Sequence, residues 1–296
     1  MKKLLLFLTL IFVNIIHGQL TVNNTSQTPA QLVQNVLLGS GITVTNIKFN
    51  GTTANANTVN SQVGMFTNGN STNLGLTSGI ILATGNAQVA VGPNNSGGSS
   101  QLPTSPSTGD ADLATLASGT VMDKASLEFD FIPQGTNLSF NFVFASEEYP
   151  EWVNSGFNDV FGFFISGPGI SGTFTGGSAN IALVPGTSTP ISINTVNSTT
   201  NSSYYVNNGD GSTPTVNTTI QYDGFTTVIA ALANVQCGKT YHIKLAIANV
   251  LDNLYDSAVF LQANSFNTNQ LSFPHDYLVS NGFAPCFGTS AQICTG

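Results

Sequence analysis

Three short segments in which every second residue is apolar constrain the fold more than any other feature of this chain. The apolar positions are Leu127, Phe129 and Phe131; Leu138, Phe140, Phe142 and Phe144; and Tyr241, Ile243, Leu245 and Ile247. Side chains of a strand point alternately to its two faces, so this period predicts three strands that each bury one face. Such strands must pack against a second layer.

Two further segments, residues 160–166 and 258–263, are almost continuously apolar. That composition is expected of strands covered on both faces. Additional strands are predicted at residues 42–49 and 79–84, and Gly, Asn and Pro separate the apolar runs. Together these signals predict a mainly β protein, an antiparallel β-sandwich of the jelly-roll kind with one or two short helices near the N-terminus.

The main helix is predicted from its boundary residues. Thr28 is a good N-cap, Pro29 suits the first helical position and Gly39 suits the stop, so residues 29–38 should be helical. Its buried face would consist of Leu32, Val33, Val36 and Leu37.

Three other segments have weaker local signals. Residues 112–117 are expected to form one or two helical turns. Residues 92–108, rich in Ser, Gly and Pro, and residues 194–219, rich in Asn, Ser and Thr, are predicted to be surface loops.

The N-terminus has the pattern of an export signal. Lys2 and Lys3 precede an apolar run over residues 4–16, and Gly18 precedes a cleavage point that leaves a signal peptide of residues 1–18. The apolar run is too short to span a bilayer as a helix, and no Cys for lipid attachment lies nearby. We therefore expect a secreted or cell-surface protein that does not insert into the membrane after cleavage.

The charge balance narrows the range of partners. Removal of the two signal-peptide lysines shifts the formal net charge from −8 to about −10. A protein of that charge is not expected to bind nucleic acid or anionic membrane surfaces. The expected partner is an extracellular protein or polysaccharide.

Acidic residues concentrate in two segments of the chain. Six of the 14 Asp and Glu residues lie there: Glu147, Glu148, Glu151, Asp159, Asp252 and Asp256. Carboxylates that converge repel one another unless a cation or hydrogen-bond donors compensate them. Because the chain has no Arg and only six Lys, we predict a bound hard cation, calcium. The predicted ligands are Glu147, Glu148, Asn158, Asp159, Asp252 and Asp256.

The same residues have interpretations that need no metal. Glu147 and Glu148 follow a Phe-rich strand, and if that strand continues they point to opposite faces, so only one faces a shared site. Exposed loop carboxylates are common. Asp252 and Asp256 do not match the loop pattern of an EF-hand, and Asx residues also form turns. The metal prediction therefore depends on convergence of both segments in the folded chain.

Trp152 is the predicted partner-binding residue. It is the only Trp and lies beside the acidic residues, where its ring would stack on a sugar or anchor a partner. Its alternative role is to close one end of the sandwich core.

Catalysis is not expected, and we predict no catalytic residues. The alternative is a carbohydrate-active enzyme, since Glu148 and Asp159 could form the acidic pair of a glycoside hydrolase. Against it, the sequence has no GxSxG motif, no HExxH motif and no Gly-rich phosphate loop. His242 alternates within a strand without an evident Cys or Asp partner, which favours a surface strand residue over a base.

The chain has three cysteines, Cys237, Cys286 and Cys294. An exported protein permits disulfides, but three cysteines do not make a disulfide scaffold. Cys286 and Cys294 would close a short loop, or Cys237 would pair with one of them. The sequence does not choose among these pairings.

Long stretches of the chain resemble one known family. FVFASEEYPEWVNSGFNDVFGFFISGPG and YDGFTTVIAALANVQCGKTYHIKLAIANVLDNLYDSAVFL resemble the choice-of-anchor L domain, a family of secreted and surface proteins of Bacteroidota. SGIILATGNAQVAVGPN resembles its amino-terminal part, so the similarity covers residues 28–266. One departure is Asn249, where relatives often carry Asp, which would weaken any metal site there.

The resemblance implies a non-catalytic extracellular module over residues 19–268, followed at 269–296 by a tail or by the start of a truncated repeat. The leading expectation is a secreted, calcium-stabilised module that is adhesive or ligand-binding. The alternatives are a carbohydrate-active enzyme and a structural spacer with no ligand.

Overall fold

A computed structural model describes residues 18–39, 42–117, 119–211 and 219–268. Almost all of the predicted signal peptide, the segment 269–296, Cys286 and Cys294 lie outside these residues. Within them, no helix combines the length and the apolar character needed to cross a bilayer.

The described residues form fourteen strands. They are β1 (Thr21–Asn23), β2 (Thr43–Phe49), β3 (Val63–Thr67), β4 (Gly79–Ala83), β5 (Val121–Ile132), β6 (Asn137–Ser146), β7 (Val160–Ser166), β8 (Ala179–Asn180), β9 (Tyr205–Asn207), β10 (Gly224–Thr226), β11 (Ile229–Asn234), β12 (Tyr241–Val250), β13 (Ser257–Gln262) and β14 (Asn267–Thr268). All strands predicted from the sequence are present within a few residues. The short strands β1, β3, β8, β9, β10, β11 and β14 were not predicted, because two to six residues give little periodic signal.

The strands form two antiparallel sheets. The first has the order β1-β3-β4-β13-β6-β10-β9, with β11 and β14 also paired to β6. The second has the order β2-β5-β12-β7-β8. This arrangement confirms the predicted antiparallel sandwich.

Aromatic side chains join the two sheets. Phe140, Phe142 and Phe144 of β6 pack against Phe161 and Phe163 of β7, with ring centroids 4.7 to 5.9 Å apart. These rings lie in the main core between the sheets. Aromatic pairs at such distances add to the free energy of burial.

Strand β6 was predicted to bury one face, but its second half is buried on both. Its alternate residues Val143 and Ala145 belong to a second core on the outer face of the first sheet, together with Ala258 and Phe260 of β13. A third, smaller core lies on the outer face of the second sheet, where Phe164 of β7 is buried. The prediction that the continuously apolar strands are covered on both faces is therefore confirmed.

The helices are short. They are the α-helices α1 (Pro29–Leu32), α2 (Thr53–Ala56) and α3 (Ala111–Leu116), a π-helix (Val33–Leu37) and the 3-10 helices Gly69–Ser71, Ala87–Ala90, Thr175–Gly177 and Ser202–Tyr204. The predicted N-cap is confirmed, because Thr28 and Gln31 form a reciprocal capping box. The four residues predicted to face the core are buried, although the second half of this helix has π hydrogen bonding.

Buried ion pairs attach α3 to the second sheet. Lys244 of β12 contacts Asp110, the N-cap of α3, at 2.8 Å and Asp112 at 2.6 Å. Burial alone lowers the pKa of Lys244, but its hydrogen bonds to the two aspartates outweigh that effect and raise it.

His242 also has acidic partners, contrary to the sequence prediction. It lies 2.7 Å from Asp130 and 3.5 Å from Glu128, both on the paired strand β5. The hydrogen bond with Glu128 raises the pKa of His242, burial opposes this and Asp130 reinforces it. The sequence did not show these partners because they lie more than one hundred residues away, brought close by strand register.

Replacing Lys244 by Met should destabilise the protein, because it leaves two buried carboxylates without a cation. We expect a loss of about 3 kcal/mol, or roughly 6 to 12 °C in Tm. Calorimetry at pH 7 measures it, with the exposed Lys239→Met as the matched control, for which about 0.5 kcal/mol or less is expected. Equal effects of both substitutions would contradict the assignment.

Candidate acidic site at one end of the sandwich

Carboxyl groups gather where strands of both sheets begin and end. Strand β6 ends at Ser146, which pairs with Gly224 at the start of β10 and with Ser257 at the start of β13. The residues just beyond these positions are Glu147, Asp223 and Asp256. Antiparallel pairing thus places three carboxyl groups on neighbouring strands.

The second sheet contributes to the same end. Glu148 accepts a hydrogen bond at 2.9 Å from the backbone N–H of Asp159, which directly precedes β7. Asp123 of β5 interacts electrostatically with Asp256 and also lies here. We call this region the acidic end; its carboxyl groups belong to Asp123, Glu147, Glu148, Asp159, Asp223 and Asp256.

These six residues are buried without a basic partner. Each is at most 4 % exposed. The ion pairs found within the described residues involve His242 and Lys244, which lie on the outer face of the second sheet. A buried carboxylate without a counter-charge takes up a proton or a cation.

Glu148, Asp159 and Asn249 form an inner group at the end of the main core. Asp159 accepts a hydrogen bond at 3.1 Å from Val250 N–H, but its second carboxylate oxygen and both polar side-chain atoms of Asn249 have no hydrogen-bond partner. Burial raises the pKa of Glu148 to about 7, although the Asp159 amide opposes it. Burial and the neighbouring Glu148 raise the pKa of Asp159 well above its usual range.

Glu147, Asp223 and Asp256 form an outer group, which lies on the opposite face of the first sheet. Neither carboxylate oxygen of Glu147 has a hydrogen-bond partner. Burial, and then the charges of Asp223 and Asp256, raise its pKa to about 10. The Ser99 backbone and the Gln221 side chain lie near enough to lower this pKa in part, but the Gln221 amide donates its hydrogen bonds to Asn94 and Ser96 instead.

The other two members of the outer group each have one donor. Asp256 accepts a hydrogen bond at 2.8 Å from Gln101 N–H, and Asp223 accepts one at 2.7 Å from the Asn94 side chain. Burial raises the pKa of both to about 7. The second carboxylate oxygen of Asp223 has no partner.

The loop 92–108 covers the outer group. Besides the bonds from Asn94 and Gln101, the Ser99 carbonyl accepts the backbone N–H of Asp256 at 3.2 Å. Gly85 lies against the same loop, and a Cβ atom there would sit 2.1 Å from an Asp256 carboxylate oxygen and 2.4 Å from the Gln101 carbonyl. The prediction of a loop is confirmed, but its composition did not indicate that it covers the carboxylates.

The structure brings together four of the six residues predicted as metal ligands. Glu147, Glu148, Asp159 and Asp256 lie at the acidic end and are buried, so solvated loop carboxylates are the wrong interpretation for these four. As the alternation argument predicted, Glu147 and Glu148 interact with different carboxyl groups. The predicted carboxylate ligands therefore fall into two sets within the acidic end, and metal binding by either set stays a prediction.

The remaining two predicted ligands lie at the margin. Asp252 is half-buried and accepts a turn hydrogen bond at 3.0 Å from Leu254 N–H. Asn158 is half-buried, and its side-chain oxygen has no partner. Sequence reasoning missed Asp123 and Asp223, whose isolated positions carry no local signal.

The donor set limits the kind of metal site that is possible. Among the described residues, no three His, Cys, Asp or Glu side chains are grouped so that they could hold a metal ion. An ion here would rest on one or two carboxylates and on neutral oxygens, such as those of Asn158 or Asn249. Calcium accepts such mixed oxygen ligands, so metal binding stays a prediction.

Trp152 lies beside the acidic end. Its half-buried ring packs edge-on against Phe157 at 5.1 Å and Tyr255 at 5.5 Å, and it touches the main core. The core-closing role is thus present, and partner binding stays a prediction. Leu251 and Leu254, in the same loop as Tyr255, are 46 % and 52 % exposed.

Without a metal, the protein should lose stability as pH rises from 5 to 8. The folded pKa values of Glu148, Asp223 and Asp256 are about 7 and that of Glu147 is about 10. The folded state therefore binds more protons than the unfolded state over this range, and each group costs up to about 1.4 kcal/mol per pH unit.

Melting temperatures in chelator at pH 5, 6, 7 and 8 measure this slope. Glu147→Gln and Asp256→Asn should each make it shallower, since they remove a titrating group. His242→Gln is the control for the raised histidine pKa, which contributes in the same direction. A Tm that is level or rises with pH in the unsubstituted protein would show that the carboxyl groups are not held protonated.

Comparison with known proteins identifies the family. The family model of the choice-of-anchor L domain matches residues 21–267, nearly all of the chain that the structure describes. Searches of curated proteins and of solved structures found no match. The chain therefore belongs to the choice-of-anchor L domain family.

Proposed function

We propose that this protein is a secreted, non-catalytic binding module of the cell surface, stabilised by calcium at the acidic end. The observation that carries the proposal is the set of buried carboxyl groups with unpartnered oxygens and no neighbouring basic side chain in the described part of the chain. A module exported to the outside meets calcium at concentrations that suit weak extracellular sites.

The outer group is the better place for the ion. Glu147 offers two unpartnered oxygens and Asp223 offers one. The charges of Asp223 and Asp256 raise the cost of ionising Glu147 in the absence of a cation. Calcium would neutralise this charge and take neutral oxygens of the covering loop as further ligands. In the inner group, by contrast, Glu148 and Asp159 each accept a backbone hydrogen bond.

Loops of both sheets meet at the acidic end, and they form the proposed partner surface. Exposed Leu251 and Leu254 lie near Trp152, whose ring packs on Tyr255 of the same loop. Binding residues often lie on loops that a rigid scaffold positions. An ion in the outer group would hold the loop 92–108 and the β13 end in one arrangement. The proposed partner remains an extracellular protein or polysaccharide, and the negative charge disfavours nucleic acid.

The burial of the acidic pair supports a non-catalytic role. Glu148 and Asp159 are 3 % and 1 % exposed, and the Glu148 carboxylate already accepts a hydrogen bond from the Asp159 backbone N–H. A glycoside hydrolase needs two carboxyl groups that reach a sugar from either side of the bond. We expect that neither the unsubstituted protein nor the Glu148→Gln variant hydrolyses polysaccharides.

Calcium should raise the melting temperature at pH 7.5. At a concentration one hundred times Kd, binding adds about 2.7 kcal/mol, which corresponds to roughly 5 to 10 °C. Glu147→Gln should abolish most of the rise. The control is Asp130→Asn, a carboxylate paired with His242 outside the acidic end, which should keep the rise. A melting curve that calcium leaves unchanged would refute the calcium part of the proposal.

Substitutions in the loop near Trp152 should remove partner binding without unfolding the protein. On an array of polysaccharides and extracellular proteins, Leu254→Ser and Trp152→Phe should each weaken binding at least about tenfold. Leu232→Ser, on β11 at the opposite end of the first sheet and 64 % exposed, is a surface control. If the unsubstituted protein binds no component of the array, a spacer is favoured; if all variants bind equally, the partner surface lies elsewhere.

A further inference from the structure

We propose that the inner group is a second calcium site, separate from the outer group, and that its ion fixes both loops of the partner surface. The ligands are side-chain oxygens of Glu148, Asp159, Asn249 and Ser257. The ion site stands independently of the proposed function, and only its link to partner binding rests on the partner surface proposed above.

Strand register places Asn249 directly opposite Asp159. Where β12 pairs with β7, Ala248 lies opposite Val160, so the next residue of β12 faces the residue that precedes β7. Opposed side chains of antiparallel strands share a face, with Cβ atoms about 5 Å apart. This is the face of the main core, where Phe161, two positions further along β7, is buried.

The Asn249 side chain is the observation that points to a ligand. It is 1 % exposed, and neither its oxygen nor its nitrogen has a hydrogen-bond partner. An unpaired buried amide costs free energy, and native proteins rarely leave one without a partner. One carboxylate oxygen of Asp159 has no partner either. A cation between these two oxygens satisfies both.

The first sheet supplies the other two oxygen donors. The Asp159 backbone N–H bonds to only one carboxylate oxygen of Glu148, Oε2. The Ser257 hydroxyl lies close enough to Asp159 to affect its pKa, but it donates its hydrogen to Ser146 at 2.9 Å, which leaves its oxygen as an acceptor. Two carboxylates balance the charge of a calcium ion, and calcium accepts neutral oxygens beside them.

The ligands lie at the base of the two loops that form the partner surface. The loop 149–158, which carries Trp152, runs between Glu148 and Asp159. The loop 250–256, which carries the exposed leucines, runs between the other two ligands, one on β12 and one at the start of β13. Since β13 belongs to the first sheet and β12 to the second, one ion joins both sheets and both loops.

Calcium titration of the full chain tests the site in a Glu147→Gln background, which removes the outer site. Asn249→Asp adds a third carboxylate, and calcium affinity rises with ligand charge, so binding should tighten at least about tenfold relative to the background. Asn249→Leu should abolish the binding that remains. Asn154→Asp is the matched control, because it adds the same charge at an exposed position of the loop 149–158 and should leave the affinity unchanged.

Two results would overturn the site. One is an equal calcium affinity of the Asn249→Asp and Asn154→Asp variants. The other is an Asn249→Leu variant that binds calcium as well as the background does, which would show that the amide is not a ligand.

The two calcium sites fail in different ways. If the unsubstituted protein and Glu147→Gln bind calcium equally, the outer site is wrong and the inner site stands. If only the unsubstituted protein binds calcium, and Asn249→Asp does not restore binding to the background, the inner site is wrong.

Hydrogen exchange tests the effect of the ion on the loops. In the Glu147→Gln, Asn249→Asp variant, calcium should slow exchange in the loops 149–158 and 250–256 at least about tenfold. Strand β11, at the other end of the first sheet, serves as the internal reference and should show no comparable change. Calcium binding without slower exchange in either loop would overturn the link to the partner surface.

Discussion

A carboxylate that leaves water for an apolar interior must lose its charge or gain a counter-charge, and this constraint governs one whole end of the protein. The fold buries six carboxyl groups where the two sheets meet, with no basic side chain of the described chain beside them. Desolvating an unpaired charge costs several kcal/mol or more, so a proton or a cation is part of the folded state. The same groups are well solvated in the unfolded chain, which makes the folded state sensitive to what compensates them.

The position of this layer follows from the way the sheets pack. The Phe side chains of β6 and β7 hold the sheets together through rings 4.7 to 5.9 Å apart. Beyond the last aromatic ring, Glu148 follows β6 and Asp159 precedes β7. Here the contact between the two sheets is a hydrogen bond of 2.9 Å from the Asp159 backbone N–H to the Glu148 carboxylate. The acidic end is thus the polar termination of an aromatic core. Because side chains alternate along the strand, Glu147 lies on the other face of the first sheet. There it forms the polar end of the second core.

The two ends of the first sheet differ in what covers them. At the acidic end, the loop 92–108 donates hydrogen bonds to Asp223 and Asp256 and excludes water from them. At the other end, Leu232 and the free edge of β11 are exposed within the described residues. The two ends of the first sheet therefore differ in chemistry, and the proposed partner surface lies at the acidic end.

The sequence by itself determined the elements whose signal is local. The strand at residues 160–166 was predicted to the residue, and the N-cap at Thr28 was predicted from its neighbours in the sequence alone. It also determined that two acidic segments exist in a chain without Arg. Only the tertiary structure decided which carboxyl groups meet. Asp223 reaches Glu147 through pairing between residues far apart in the chain, and His242 finds Asp130 in the same way. Strand register sets such contacts, and register depends on the packing of whole sheets, which no local pattern of residues records.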